Sequence, residues 1–190
     1  MEKIIIGWDV SSTTTAYSVL KITEFKIDYI DSGYIKPIKK GTIFERLNYT
    51  KKEINKILTK YKPDEIAIEE IIQFMSGSSG AKTIIMLTSF NRMVGLTCYE
   101  YLNNNPSMYS VMSIRHGLKL DKKLPKKEDM PDVVSKHLNI NFPFEYGKKG
   151  SINIVSYDKA DAIAVSLFHA YNIQNKLGSK KWEEKKRLNY

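Results

Sequence analysis

KIIIGWDVSSTTTAYSVL, residues 3–20, is the stretch on which the reading of this chain turns. Residues 3–9 read as a buried strand: a run of isoleucine, then glycine and tryptophan. The strand nevertheless ends on a carboxylate, Asp9, followed by a Ser/Thr cluster. Working outward, TTAYSVLKIT (14–23) is rich in Thr, Val and Tyr and suits a second strand. KIDYIDSGYI (26–35) alternates well enough for a third. No helix-length segment separates these three, so an antiparallel meander is their natural connection.

Beyond Pro37 and Gly41 the period changes. TIFERLNYTKKEINKILTKY sets Phe44, Leu47, Ile54, Ile57 and Leu58 at helical spacing, and Lys62-Pro63-Asp64 stops that helix. EIAIEE (65–70) is a short strand ending in two acids, and FMSGSSGAK (74–82) is a Gly/Ser loop. A long helix is expected from about Ala81 to Asn103, a strand over YSVMSI (109–114), irregular chain over 115–127, a helix over 128–138 and a loop over 139–155. SYDKADAIAVSLFHAYNIQN (156–175) reads as an Ala-rich amphipathic helix, with Ser156 as N-cap and Asp158 in the first turn. This order predicts an α/β fold: a mixed sheet, made of a three-strand antiparallel meander plus parallel strands, flanked by helices. It predicts one domain over 1–175 and a basic tail over 176–190.

Hydrophobic residues make up 42% of the chain, enough for a real core. No apolar run approaches the roughly 18–20 residues that span a bilayer. Glu2 and Lys3 lead directly into the first strand with no signal peptide, and the lone Cys98 admits no intrachain disulfide. These features are those of a cytoplasmic protein in a reducing compartment, without a membrane partner. Lys and Arg outnumber Asp and Glu by 30 to 21, a net charge of +9 that favours a polyanionic partner. Between 115 and 127 stand Arg115, Lys119, Lys122, Lys123, Lys126 and Lys127 against Asp121 alone. A second cluster occupies the tail from Lys176 to Arg187. A solvated face accounts for either cluster as well as a binding surface does.

Three places hold acids against an apolar background: Asp9, the pair Glu69 and Glu70, and the pair Asp158 and Asp161. The last two are three apart, nearly on one helix face. Neighbours in a strand point to opposite sides, so Glu69 and Glu70 cannot both point the same way, and one can face a site while the other is solvated. Each acid alone has a plain explanation: Asp9 as a loop cap, Asp158 as a partner of the helix dipole. Together they suit Mg²⁺ or Mn²⁺, which prefer hard oxygen ligands. Two such ions about 4 Å apart can activate water, stabilise the charge-dense state of phosphodiester hydrolysis and assist the leaving oxygen.

IIIGWDVSSTTTAYSVL, IAIEE and YDKADAIAVSLFHAY resemble the three motifs of the RuvC-type Holliday junction resolvases, within the RNase H-like nucleases. DSGYIKP (31–37) is similar to that family's third strand, and the resemblance covers roughly residues 3–172. It implies an RNase H-like fold. It implies that Asp9, Glu69, Asp158 and Asp161 are catalytic metal ligands for two Mg²⁺ ions, with Mn²⁺ as substitute, and that Glu69 rather than Glu70 takes the role. It also implies a homodimer that binds a four-way DNA junction and nicks two strands symmetrically, with the long helix at the dimer interface. The sequence departs from the family where Val10-Ser11-Ser12 replaces the usual Pro-Gly after the first acid, and the loop 139–155 and the tail have no family counterpart. Arg115, Lys119, Lys122 and Lys123 are the expected phosphate contacts, and Phe74 in the Gly/Ser loop is a candidate wedge at the branch point. His169 is expected to be structural.

Three other readings share these residues. An actin-like ATPase or sugar kinase also opens on a strand, Gly-x-Asp and a Ser/Thr turn, but needs two such subdomains and a nucleotide cofactor. The chain is short for that and has no second phosphate loop, so no nucleotide cofactor is expected. A nuclease of the same superfamily acting on RNA–DNA hybrids would use the same four acids. A DNA-binding module without activity would have no need of the full acid set.

Overall fold

The structure, a computed structural model, describes residues 2–71 and 80–188, with side chains through Asn175. Strands β1 (Lys3–Val10), β2 (Thr15–Ile22) and β3 (Ile27–Ile35) come first. Helix α1 (Ile43–Tyr61), strand β4 (Glu65–Glu70), helix α2 (Ala81–Leu102) and strand β5 (Ser107–Ser110) follow. Helices α3 (Val111–Leu118), α4 (Met130–Leu138) and α5 (Ile154–Leu188) complete the chain. The sheet order is β3-β2-β1-β4-β5. The first three strands pair antiparallel, and β4 and β5 add in parallel. The expected meander and αβ alternation therefore share one five-stranded sheet.

The Ser/Thr cluster after Asp9 turns the chain. Ser11 Oγ accepts the Thr14 N–H at 2.9 Å, and Ser11 N–H donates to the Thr14 carbonyl at 2.8 Å, closing the β1–β2 connection without glycine. At the start of α1, Thr42 and Glu45 form a reciprocal capping box.

Alternation along β1 divides the core. Ile6, Trp8 and Val10 pack with Ile54 and Leu58 of α1 and Phe90, Val94 and Cys98 of α2. Ile5 packs on the opposite side with Ala170 of α5, and α3 and α4 close over α5 through Ile114, Leu118, Val133 and Val134. The protein is thus a sheet between two helical layers.

Three boundaries differ from the sequence reading. The strand expected at 109–114 is the short edge strand β5, and Val111–Leu118 is helix rather than strand and irregular chain. Ser110 ends the strand by accepting the Ser113 N–H at 3.1 Å, a cap whose local pull exceeds that of the β-branched pattern. The helix expected over 128–138 begins as a 3₁₀ turn at Lys127–Asp129. Helix α5 starts at Ile154, so Ser156 is not its N-cap and Asp158 is not in its first turn. Asn153 does the capping: its carbonyl accepts the Ser156 N–H at 2.9 Å and its side chain the Val155 N–H at 3.3 Å. Ser156 is buried and accepts the Glu145 N–H instead. No helix among the described residues is long and apolar enough to cross a membrane.

Candidate functional site

The side of the sheet that carries α5 is lined by small residues, and this brings the acids together. A Cβ on Gly7 would lie 2.5 Å from the Ala162 carbonyl and 2.6 Å from the Ser166 nitrogen. Only glycine permits so close an approach of helix to strand. Ser18 Oγ, one strand over, donates to the Ala162 carbonyl at 2.8 Å and shares a hydrogen bond with Ser166 Oγ at 2.7 Å. These contacts fix α5 across β1 and β2 just beyond Asp158 and Asp161.

Asp9 follows Gly7 by two residues and so points to the same face. On β4, Ile66 and Ile68 enter the α1/α2 core while Ala67 packs against α5. Glu69 therefore turns toward α5 and Glu70 away from it. Glu70 meets Arg92 of α2 at 3.6 Å, and the Glu69 carbonyl accepts the Asn91 side-chain N–H at 3.0 Å, tying the strand end to α2. Strand alternation thus sets Glu69, and not Glu70, on the side of the sheet that carries Asp161.

The four acids act on one another. Burial raises the Asp9 carboxyl well above its ordinary range, and the charges of Glu69, Asp161 and Asp158 raise it further. Burial and the Asp161 charge push Glu69 up to about 7. Asp161 is raised by burial, against the lowering pull of Lys127 and Arg115. Crowded carboxylates removed from water hold protons unless a cation compensates them.

Two cations of the chain do so. Lys127 donates to Asp158 Oδ1 at 2.8 Å and lies 3.3 Å from Asp161 Oδ2. Burial works against its charge, but the Asp158 hydrogen bond and the charges of Asp161 and Asp9 outweigh it and raise its pKa. Arg115 on α3 acts on both Glu69 and Asp161, and its buried Nε has no hydrogen-bond partner among the described residues. Lys127 is the residue of this cluster that sequence reading did not single out. It lay inside a lysine-rich run, 31 residues before Asp158, and no local pattern set it apart.

Among the described residues no three His, Cys, Asp or Glu side chains converge at metal-ligand spacing. In this arrangement Lys127 spans Asp158 and Asp161. The donor set still fits a hard divalent ion: four carboxylates, oxygen donors only, with the charged forms of Asp9, Glu69 and Asp161 disfavoured by burial and neighbouring charge.

Lys119, Lys122 and Lys123 are exposed on the segment that joins α3 to Lys127. Phe74 and its Gly/Ser loop lie outside the described residues. His169 is buried and shares a hydrogen bond with Tyr109 at 2.8 Å, in keeping with the structural role expected of it. Cys98 is buried in the α1/α2 core, and burial pushes its thiol up to about 12.

The family described as crossover junction endodeoxyribonuclease RuvC matches residues 5–169. The crossover junction endodeoxyribonuclease RuvC of Ehrlichia canis is 32% identical over 176 residues, 90% of this chain and 98% of that one. That of Fusobacterium nucleatum subsp. nucleatum is 29% identical, covering 93% and 82%. Among solved structures, Thermus thermophilus RuvC in complex with Holliday junction substrate aligns with a TM-score of 0.68 at 18% identity, over 90% of this chain and 95% of that one. The yeast mitochondrial Holliday junction resolvase aligns at 0.63 and 16%, over 90% and 80%. The likeness in fold, the sheet-end acids and the match over most of the chain agree: this chain belongs to the RuvC family of crossover junction endodeoxyribonucleases.

Proposed function

We propose that this chain resolves four-way DNA junctions as a Mg²⁺-dependent endonuclease, with Mn²⁺ able to substitute, and that a homodimer makes paired symmetric nicks. The observation that carries this reading is the gathering of Asp9, Glu69, Asp158 and Asp161, from three distant segments, beside Lys127 and Arg115. These four acids would hold two metal ions, which when bound polarise the phosphate and supply an activated water. The rest falls to the chain's own groups. Lys127 offsets the like charges of Asp158 and Asp161 and keeps the two side chains in place. Arg115 acts electrostatically on Glu69 and Asp161 and brings to the site a guanidinium, a group suited to a phosphate oxygen. Lys119, Lys122 and Lys123 extend positive charge to neighbouring phosphates. The side chains of Ile85, Leu96 and Tyr99 stand exposed on α2, opposite its core face, and support the docking of a second copy there. A four-way junction as the substrate rests on the likeness to crossover junction endodeoxyribonucleases.

The test is a cleavage assay with Mg²⁺ or Mn²⁺ on a labelled four-way junction, a matched duplex and an RNA–DNA hybrid, using wild type and Asp161→Asn. Paired nicks in the junction alone, reduced about 10²–10⁴-fold in the variant, are the expected outcome. Preferred cutting of the hybrid would move the function to RNA–DNA hydrolysis on the same acids. No cutting of any substrate would overturn the nuclease reading. Sedimentation of wild type beside Leu96→Glu tests the dimer, which the variant should split.

A further inference from the structure

The segment between α4 and α5 builds a feature beside the acids. Tyr146 and Ile152 form an antiparallel bridge. Below it the Asn153 N–H donates to the Glu145 carbonyl at 2.7 Å, and above it the Gly147 N–H donates to the Ser151 carbonyl at 2.8 Å. At the tip the Gly150 N–H donates to the Gly147 carbonyl at 2.9 Å. Lys148 and Lys149 are therefore the two central residues of a tight turn. Gly150, at φ +76°, takes the left-handed conformation that lets this turn rejoin the strand. Two exposed lysines are held at the end of a small closed hairpin.

The base of the hairpin is fastened to the elements that carry the acids. Lys159, next to Asp158 and only 4% exposed, donates to Glu145 Oε1 and to the Pro143 carbonyl, each at 2.9 Å. The Tyr34 hydroxyl donates to Glu145 Oε2 at 3.2 Å. Tyr34 pairs with Ala16 on β2, and Ala16 pairs with Asp9 on β1, so the three share one row and one face of the sheet. Lys36 lies 5.1 Å from the Tyr34 ring centroid. Phe142, Phe144 and Tyr146 follow in a chain of ring contacts, with centroids 4.8 and 6.3 Å apart. The chain of rings ends on Tyr146, which is 63% exposed.

The charge of this surface names its partner. Glu145 is the single acid between 142 and 154, and Lys159 neutralises it, so the tip is purely cationic. Lysine is depleted from protein–protein interfaces, and a lysine pair beside an exposed aromatic suits a nucleic acid strand. The base of the hairpin is tied to β3 at one edge of the sheet, whereas Arg115 on α3 follows β5 at the other edge. We propose that this hairpin is a second DNA-binding bank, gripping the strand on the side of the acids opposite α3. Lys148 and Lys149 meet phosphates, and Tyr146 packs on a sugar or an unstacked base. The inference rests on the nuclease reading above.

The test measures binding of a fluorescent four-way junction by anisotropy, in EDTA to prevent cleavage, across a KCl series. Wild type, Lys148→Ala/Lys149→Ala and Tyr146→Ala are compared, with thermal melting to verify that each is folded. In the double variant Kd should rise about 5–20-fold near 0.1 M KCl, and the slope of log K against log[KCl] should shrink by about 1 to 2. Tyr146→Ala should raise Kd at least about 3-fold with the slope unchanged. Wild-type Kd and slope in the double variant would overturn the hairpin's role and leave the nuclease reading standing. Failure of the wild type to bind the junction at all would overturn both.

Discussion

The two faces of the sheet solve different problems with the same strands. On the α1/α2 face the contacts are bulky: Trp8, Ile68, Ile54, Leu58 and Phe90 are wholly buried. On the α5 face the central contacts are Gly7, Ser18, Ala67, Ala160, Ala162 and Ser166. Large side chains keep a helix at ordinary distance, and the gain there is apolar area removed from water. Small ones let α5 lie almost on the strands, so that acids from β1, β4 and α5 meet at one sheet end. One face contributes stability, and the other contributes proximity among groups that repel each other.

The sharpest way to break that contrast is to change neighbouring acids on opposite faces. Glu69→Gln should lower junction cleavage about 10²–10⁴-fold. Glu70→Gln, on the Arg92 side, should stay within about 2-fold of wild type. Equal losses in the two variants would mean that strand alternation does not select the site residue.

Next in size is Phe90→Ala. It removes a fully buried ring from the bulky face and should cost about 3–5 kcal/mol in urea unfolding. At temperatures where the variant is folded its cleavage rate should be close to wild type, because Phe90 packs on the α1/α2 face, across the sheet from α5.

Gly7→Ala attacks the other face. The added methyl meets the α5 backbone, which cannot yield without moving Asp158 and Asp161, so stability should fall by about 1–3 kcal/mol and cleavage should fall more steeply than in Phe90→Ala. A stable and fully active Gly7→Ala enzyme would show that close helix approach is not what assembles the site.

The smallest expected effect is on stability against pH without divalent ions. Glu69 is raised in the folded state from an ordinary 4.5 to about 7, so between those values the folded chain holds more proton than the unfolded one. Its contribution is intact below about 4.5 and is lost as pH rises to about 7. The difference in Tm, Glu69→Gln minus wild type, should therefore grow by several °C across that window. Added Mg²⁺ should shrink it. A difference that narrows with rising pH would contradict the raised carboxyl.

The strands β1 to β4 and helices α1 and α2 were legible because their periods are strong and punctuated by Pro, Gly and a Ser/Thr turn. Five acids, Asp9, Glu69, Glu70, Asp158 and Asp161, stood out as isolated charges in apolar surroundings, and the choice of Glu69 over Glu70 came from the motif resemblance alone. Val111–Leu118 was misread because its β-favouring residues follow Ser110, whose capping bond acts over three residues and outweighs them. The start of α5 was misread because Ser156 looks like a cap in sequence, while its hydroxyl serves Glu145, eleven residues earlier.

The sequence by itself therefore determined the element order apart from α3, the mixed sheet and the acids that could share one end of it, because hydrophobic period and isolated charge are local signals. Only the tertiary structure decided which way Glu69 and Glu70 face, that Lys127 rather than its neighbours enters the acid cluster, and that Glu145 fastens a lysine-tipped hairpin beside it. Those outcomes depend on how near α5 lies to the strands and on which charges that nearness forces into company. Such distances are fixed by packing across the fold, and no window of the chain contains them.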